Sequence, residues 1–132
     1  MKRFMLDINT VSYLVRGHAT VIGKLVRVST SSCCVSSLTE GELRFGLARR
    51  AAATKLSAAV EEMLLRFDIL PWTSATAKHY GSLRARQERS GKPLTPVDLL
   101  IAAHALEANA VLVTSDGAFG RVEGLQVEDW TR

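Results

Sequence analysis

The stretch "PLTPVDLLIAAHALEANAVLVTSDGAF", residues 93–119, decides the fold because a buried helix and a buried strand follow each other within it. Thr95 and Pro96 predict a helix start, since threonine is a good N-cap and proline fits the first turn. The helix predicted over 96–108 is nearly all apolar, so it has to pack between a sheet and its neighbours. The branched apolar run at 111–114 predicts a buried strand. A long helix that feeds directly into a buried strand is typical of an α/β fold.

The same alternation of short apolar runs and longer helical patterns continues through the rest of the chain. Four further strands are predicted at 3–6, 33–36, 67–70 and 125–127. Five further helices are predicted at 10–16, 18–26, 38–52, 54–66 and 74–90. Ser37 and Glu40 predict a capping box at the start of the third helix. We therefore expect one domain over residues 1–132, a three-layer α/β/α sandwich around a central parallel sheet of about five strands.

The composition is that of a globular protein that needs no membrane. Of 132 residues, 47% are hydrophobic and 23% are charged, and no apolar run reaches the roughly 18 residues that a membrane span requires. The first 16 residues lack a small-residue cleavage site after an apolar stretch, so we expect no signal peptide. Cys33 and Cys34 are adjacent in an apolar run and are interpreted as core residues of a reduced protein. These features predict a soluble, cytoplasmic protein.

The charge distribution favours a polyanionic partner. The formal net charge is +4, and a basic protein attracts phosphate backbones. Basic residues form two clusters, Arg44, Arg49, Arg50 and Lys55 in the first and Arg84, Arg86, Arg89 and Lys92 in the second. Such clusters are also typical of solvated helix faces. From the second cluster we predict Arg84, Arg86 and Lys92 as RNA-binding residues.

Two acids directly follow predicted strands. Asp7 comes after the first strand, and Asp116 comes just after the strand at 111–114. Each has a simpler interpretation as a turn residue, with Asn9 capping the helix that follows Asp7. Because ligands of open parallel sheets bind beyond the carboxyl ends of the strands, the two acids together also suggest one shared site.

Two further acids are candidates for the same site. Asp98 lies in the first turn of the apolar helix, where it can act as part of the helix cap or point across the sheet edge. A helical wheel puts Glu42 beside Leu38, Phe45 and Gly46, on the side predicted to face inward. A buried carboxylate has to be paired, protonated or bound to a cation, and an arginine partner is the simplest alternative for Glu42.

The ligand types available select a hard metal ion. The four acids are accompanied by no cluster of histidine or cysteine, and His104 lies within an apolar helix, where it is interpreted as a core histidine. Oxygen-only ligands favour Mg²⁺ or Mn²⁺ over zinc. Such an ion in a basic protein suits hydrolysis of a phosphodiester bond.

The ordered set of motifs resembles a known family. The stretches "FMLDINTVSYLVRG", "VSSLTEGELRFG", "GKPLTPVDLLIAAHAL", "AVLVTSDGAF" and "VEGLQVEDW" are similar, in order and spacing over residues 4–130, to the PIN-domain ribonucleases, specifically the VapC toxins. The resemblance implies four catalytic acids, Asp7, Glu42, Asp98 and Asp116. Of these it implies Asp7, Asp98 and Asp116 as metal ligands. It also implies supporting roles for Asn9 and, we expect, for Thr114.

Two departures from the family pattern concern the site. Ile8 stands where a small hydroxyl residue is usual, which removes one supporting hydrogen bond. The segment from Thr114 to Phe119 is one residue shorter than in many relatives, and no acid precedes Phe119. Asp116 is therefore expected to supply that acid alone.

The resemblance implies a Mg²⁺- or Mn²⁺-dependent endoribonuclease toxin, with RNA, and specifically the anticodon loop of initiator tRNA, as substrate. It implies a homodimer, a cognate VapB-like antitoxin that covers the site, and contact with operator DNA only through that antitoxin. Three alternatives stay open: a PIN-type nuclease of RNA or DNA processing that is not a toxin, a non-catalytic metal-binding regulatory domain like the phospho-receivers, and an inactive scaffold. The phospho-receiver alternative lacks its acid pair after the first strand and its late lysine, since no lysine follows Lys92.

Overall fold

The computed structural model describes residues 2–50 and 54–132, and its centre is a five-stranded sheet. The strands are β1 (Arg3–Leu6), β2 (Cys33–Ser36), β3 (Asp68–Leu70), β4 (Ala110–Val113) and β5 (Val127–Glu128). Their order in the sheet is β3-β2-β1-β4-β5, and every neighbouring pair is parallel. The predicted central parallel sheet of five strands is confirmed, with β1 and β2 at the predicted residues and β5 shifted toward the carboxyl terminus.

In the part of the chain that the structure describes, six α-helices lie on the two faces of this sheet. They are α1 (Ile8–Val15), α2 (Ala19–Val28), α3 (Ser37–Arg49), α4 (Thr54–Arg66), α5 (Ser74–Arg89) and α6 (Pro96–Glu107). Two short 3-10 helices, Thr30–Ser32 and Gly117–Arg121, were not predicted. The third helix was predicted to continue to residue 52, but α3 ends at Arg49, and residues 51 and 52 lie outside the described residues. The three-layer α/β/α prediction is confirmed.

Side chains that alternate along each strand build a separate core on each face of the sheet. In β1, Phe4 and Leu6 face one core, and Met5, which is fully buried, faces the other. The first core is covered by α1, α2, α3 and α4, through Val11, Val21, Leu43, Val60, Met63 and Leu64. The second is covered by α5 and α6, through Leu83, Leu99, Ile101, Ala102, Ala103 and Ala105. Strands buried on both faces are expected to be almost wholly apolar, as β1, β2 and β4 are.

The direction in which successive strands are added to the sheet reverses between β1 and β4, although all strands are parallel. From β1 the chain builds outward through β2 and β3, then returns to place β4 on the other side of β1. The crevice at such a reversal is where parallel sheets bind ligands. Asp7 follows β1 directly and Asp116 lies three residues after β4, so both predicted acids flank this crevice.

The start of α3 differs from the prediction. The N-cap is Ser36, whose hydroxyl accepts a hydrogen bond from the Leu38 N–H at 3.1 Å, so the capping box of Ser37 and Glu40 is wrong. Glu40 instead accepts a hydrogen bond from Arg44 at 3.0 Å. Two consecutive serines both fit an N-cap position, but the Ser37 hydroxyl instead accepts a hydrogen bond from the Trp72 N–H at 3.2 Å. The Ser36 hydroxyl also has a neighbour from a distant helix.

That neighbour is His104 of α6. Its Nδ1 lies 2.7 Å from the Ser36 Oγ, and its side chain is only 1% exposed. The indole of Trp72 meets the imidazole edge to face, with the ring centroids 5.6 Å apart. The interpretation of His104 as a core histidine is confirmed.

The buried His104 predicts a pH-dependent stability. Burial lowers the pKa of His104 below its ordinary 6.5, and the nearby Glu107 carboxylate opposes this only in part. The unfolded chain therefore binds this proton more readily than the folded chain, and the free energy of unfolding falls as the pH drops through about 6.5 toward the lower folded pKa. We expect His104→Gln to show a smaller loss of stability than the unsubstituted protein between about pH 7.5 and 5 in urea unfolding.

The matched control is His79→Gln, because His79 is exposed on α5. This variant should keep the pH dependence of the unsubstituted protein. Equal pH slopes for the His104 variant and the unsubstituted protein would show that another group causes the dependence.

The two cysteines are part of the core. Cys33 and Cys34 are free thiols, 1% and 0% exposed, on opposite faces of β2. Burial raises the pKa of Cys33 to about 12 and that of Cys34 to about 11, so both stay protonated and unreactive at neutral pH. Their interpretation as core residues is confirmed. Within the described residues, no helix combines the length and the apolar character that crossing a bilayer requires.

Candidate active site

A cavity opens at the carboxyl ends of β1 and β4, and all four predicted acids line it. Its acidic residues are Asp7, Glu42, Asp98 and Asp116. The other lining residues are Ile8, Asn9, Leu38, Thr39, Val97, Leu100, Ile101 and Phe119. Four elements that are far apart in sequence therefore deliver one carboxylate each. We call this cavity the acidic pocket.

Asp7 is held most firmly of the four acids. It is the N-cap of α1, and its Oδ1 accepts a hydrogen bond from the Thr10 N–H at 2.8 Å. Its own N–H donates to the Val113 carbonyl at 3.1 Å, and the Thr10 hydroxyl donates to the same carbonyl at 3.0 Å. The side chain is only 8% exposed. The cap is thus Asp7 rather than Asn9, and one carboxylate both starts the helix and faces the pocket.

Asp116 lies in the turn after β4. Its Oδ1 accepts a hydrogen bond from the Ala118 N–H at 2.9 Å, which is the turn geometry expected of an aspartate before glycine. The buried Thr114 hydroxyl accepts from the Asp116 N–H at 3.0 Å and holds the turn from the strand side. Asp116 is exposed at the mouth of the pocket, and Phe119 lines the wall beside it.

Asp98 reaches the pocket from the first turn of α6. The Thr95 hydroxyl accepts a hydrogen bond from the Asp98 N–H at 3.2 Å, and Pro96 occupies the first turn, as predicted. The Asp98 side chain is half-buried. Its backbone completes the cap while its carboxylate lines the pocket, so the two interpretations of this residue are compatible.

Glu42 lines the pocket, but the predicted reason for it is wrong. The inward face of α3 is formed by Thr39 and Leu43, whereas Glu42 is exposed and Phe45 is 57% exposed. The helical wheel misplaced this face because it treated Phe45 as a core residue. Within the described ranges 2–50 and 54–132, Glu42 also lacks the arginine partner of the predicted alternative, and the nearby Arg44 bonds to Glu40 and Glu61.

The donor set of the pocket fits a hard cation. Within residues 2–50 and 54–132, none of the four acids has a basic group within 4.0 Å. In the same part of the chain, no three carboxylate, imidazole or thiol groups converge closely enough to form a finished metal site. The four carboxylates instead line one cavity from four separate elements. Carboxylate oxygens are the ligands that Mg²⁺ and Mn²⁺ prefer.

Other predicted residues differ in where they lie. Asn9 lines the pocket, although the hydrogen bond that holds Asp7 comes from Thr10. The predicted RNA-binding residues Arg84, Arg86 and Lys92 are exposed and do not line the acidic pocket. Within α5, the Arg84 guanidinium donates to Glu88 at 3.3 Å and to the Tyr80 hydroxyl at 2.9 Å.

Thr39 was missed by the sequence analysis. It is 3% exposed and lines the acidic pocket three residues before Glu42, so the two share one helical face. Its spacing from Glu42 is the signal that could have identified it.

Comparisons with known proteins identify the family of the chain. The chain matches the PIN domain over residues 4–125. It is 35% identical to the tRNA(fMet)-specific endonuclease VapC of Salmonella typhimurium, over 98% of this chain and 99% of that protein. It is 33% identical to the tRNA(fMet)-specific endonuclease VapC of Shigella flexneri, over 99% of this chain and 100% of that protein.

The fold is also similar to solved structures. The crystal structure of DNA-bound VapBC from Salmonella typhimurium contains a chain that matches with a TM-score of 0.88 at 34% identity, covering 98% of this chain and 99% of that one. The family match, the full-length relatives and the shared fold agree with the resemblance drawn from the motifs. The chain belongs to the PIN domain family and, within it, to the VapC toxin ribonucleases.

Proposed function

We propose that this ribonuclease hydrolyses a phosphodiester bond of initiator tRNA, with Mg²⁺ or Mn²⁺ held by the acidic pocket. The observation that carries the proposal is the set of four carboxylates without cationic partners around one cavity, within the described residues. The choice of RNA is supported by the two relatives at 35% and 33% identity, both named for tRNA(fMet).

The proposed roles follow from how each acid is held. Asp7, Asp98 and Asp116 are the proposed metal ligands. A bound Mg²⁺ or Mn²⁺ supplies charge neutralisation at the scissile phosphate and lowers the pKa of a water molecule. Glu42, exposed on the α3 wall, is proposed to align the attacking water and accept its proton. Asp116 is proposed to supply the acid that is absent before Phe119, because both residues line the acidic pocket.

The test is cleavage of end-labelled initiator tRNA by the purified full-length protein. With Mg²⁺ or Mn²⁺ we expect a single cut in the anticodon loop, and with excess EDTA we expect cleavage to fall at least about a hundredfold. Zn²⁺ should restore little activity, because the pocket presents carboxylates and no histidine or cysteine ligands.

Elongator methionine tRNA is the matched substrate control. Equal cleavage of the two tRNAs would contradict the choice of substrate but leave the ribonuclease intact. Full activity in EDTA would contradict the metal and with it the roles of the four acids.

We further propose a VapB-like antitoxin as partner, with operator DNA contacted through it. The support is the VapBC complex whose toxin chain matches with a TM-score of 0.88. The same proposal includes a homodimer. It also includes a cytoplasmic location, because the RNA substrate is in the cytoplasm. Induced expression in bacteria should arrest growth, and co-expression of the antitoxin should relieve the arrest. Continued growth would favour a processing nuclease over a toxin.

A further inference from the structure

A second cavity adjoins the acidic pocket and is basic. It is bounded by α1, α3 and α4, and it shares Ile8 and Glu42 with the acidic pocket. Three arginines line it: Arg16, Arg49 and Arg50. We call this cavity the arginine groove. Because Ile8 and Glu42 line both cavities, the two cavities lie side by side.

The two helices that form the groove run from acids to arginines. Asp7 caps the start of α1, and Arg16 caps its end. On α3, Glu42, Gly46 and Arg49 follow at helical spacing on one face, and Arg50 caps the end of the helix. At about 1.5 Å of rise per residue, Arg49 lies roughly 10 Å beyond Glu42 along the helix axis, which a short stretch of nucleotides can span.

The arginines are available to a ligand. All three are exposed, and within residues 2–50 and 54–132 none has a carboxylate within 4.0 Å. The helix dipole stabilises an arginine at the end of a helix and could explain each arginine separately. It does not explain why arginines at the ends of two different helices line the same groove. The nearby Arg44, by contrast, is engaged by Glu40 and Glu61.

Arg49 is also held in position. Its guanidinium carbon lies 4.9 Å from the centre of the Phe45 ring, one turn earlier on α3. A guanidinium that stacks on an aromatic ring keeps its outer N–H groups free and loses less side-chain freedom on binding a phosphate. This contact gives the exposed Phe45 a role in positioning Arg49, whereas its exposure shows that it has no role in the core.

We propose that the arginine groove is a subsite for the phosphate backbone of single-stranded RNA that extends from the cleavage pocket. The apolar floor of Ile8, Leu43 and Leu47 contacts riboses and bases, and the three guanidiniums neutralise successive phosphates. The charge of the groove favours RNA over a protein segment. Its three arginines have no described carboxylate partner, and an RNA substrate is a polyanion that already has to reach the adjoining acidic pocket. This inference rests on the proposed function for the direction in which the RNA runs.

The test measures RNA binding apart from cleavage. Affinity of the full-length protein for a fluorescein-labelled single-stranded oligoribonucleotide is measured in EDTA over a range of salt concentrations. For Arg16→Gln/Arg49→Gln/Arg50→Gln we expect at least about tenfold weaker binding near 0.1 M salt. The slope of log affinity against log salt should fall by about 2, since each lost phosphate contact on a single strand removes about 0.7.

The matched control carries the same charge change on α5 and in the segment that follows it, as Arg84→Gln/Arg86→Gln/Lys92→Gln. It also tests the three residues that the sequence predicted. A larger loss of affinity in this control than in the groove variant would overturn the proposal and place RNA on α5. Thermal unfolding of both variants has to match the unsubstituted protein, and single arginine variants replace the triple one where it does not.

Two further measurements distinguish this proposal from the proposed catalytic function and from binding of an acidic protein. In tRNA cleavage the groove variant should raise KM more than it lowers kcat, because the arginines lie outside the acidic pocket. Failure of metal-dependent cleavage would contradict the proposed function, whereas the RNA affinity measured in EDTA would still test the arginine groove. A variant that keeps its RNA affinity but loses affinity for poly-L-glutamate would show that the groove binds acidic protein instead.

Discussion

Replacing Asp7 with asparagine is expected to reduce RNA cleavage at least about a thousandfold while leaving the fold intact. The loss reflects a metal ligand that contributes several kcal/mol in the transition state, at about 1.4 kcal/mol for each factor of ten. The fold should persist because asparagine caps a helix as well as aspartate does, so the hydrogen bond from the Thr10 N–H survives. Calorimetric titration with Mn²⁺ should show weakened metal binding alongside the lost activity.

Asp68→Asn is the matched control for Asp7→Asn. Asp68 is exposed at the beginning of the edge strand β3 and does not line the acidic pocket, which lies at the carboxyl ends of the central strands β1 and β4. Its substitution should leave cleavage and Mn²⁺ binding unchanged. The assignment of Asp7 fails if Asp7→Asn cleaves RNA at the rate of this control.

Replacing Leu112 with alanine is expected to destabilise the protein by about 3 kcal/mol and to lower Tm by about 10 °C. Leu112 is fully buried in β4, where it packs in the second core and pairs across the sheet with Met5 and Val127. Removing most of its side chain leaves a cavity at the centre of the sheet that the neighbouring strands cannot close. Thermal and urea unfolding measure the change.

Leu65→Ala is the matched control for Leu112→Ala. Leu65 lies on α4 and is 82% exposed, so the same substitution there should change Tm little. Similar losses at the two positions would indicate that Leu65 is buried by a second copy of the chain or by another partner.

Most of the sheet could be predicted because its strands are bounded apolar runs. The runs at 3–6 and 33–36 match β1 and β2 residue for residue, since both faces of these strands are buried. The edge strand β5 was predicted about two residues too early. It has only two residues and one neighbouring strand, so its local pattern of apolar residues is weak. The 3-10 helix Gly117–Arg121 was missed because its start depends on the Asp116 turn rather than on apolar spacing.

The site could be predicted in its acids but not in its geometry. Topology alone brings Asp7 and Asp116 to one edge, because parallel strands share the direction in which they end. Which face of α3 turns inward was not readable from the sequence, because Phe45 packs on Arg49 at the surface instead of in the core. The single-domain extent and the catalytic roles of the acids stay predictions, for which the Asp7 experiment is the first test.

The hydrogen bond from Thr10 to the Val113 carbonyl joins residues 103 positions apart. During synthesis, β1 therefore waits for β4 for roughly 5–20 s at ordinary rates of elongation. Through that interval the nascent chain gains first Glu42 and then Asp98, whereas Asp116 lies beyond β4 and is added last of the four acids. Assembly of the pocket is thus a late event on the ribosome, and a chain interrupted just before β4 has three of the four acids that line the pocket but lacks Asp116 and the strand that precedes it.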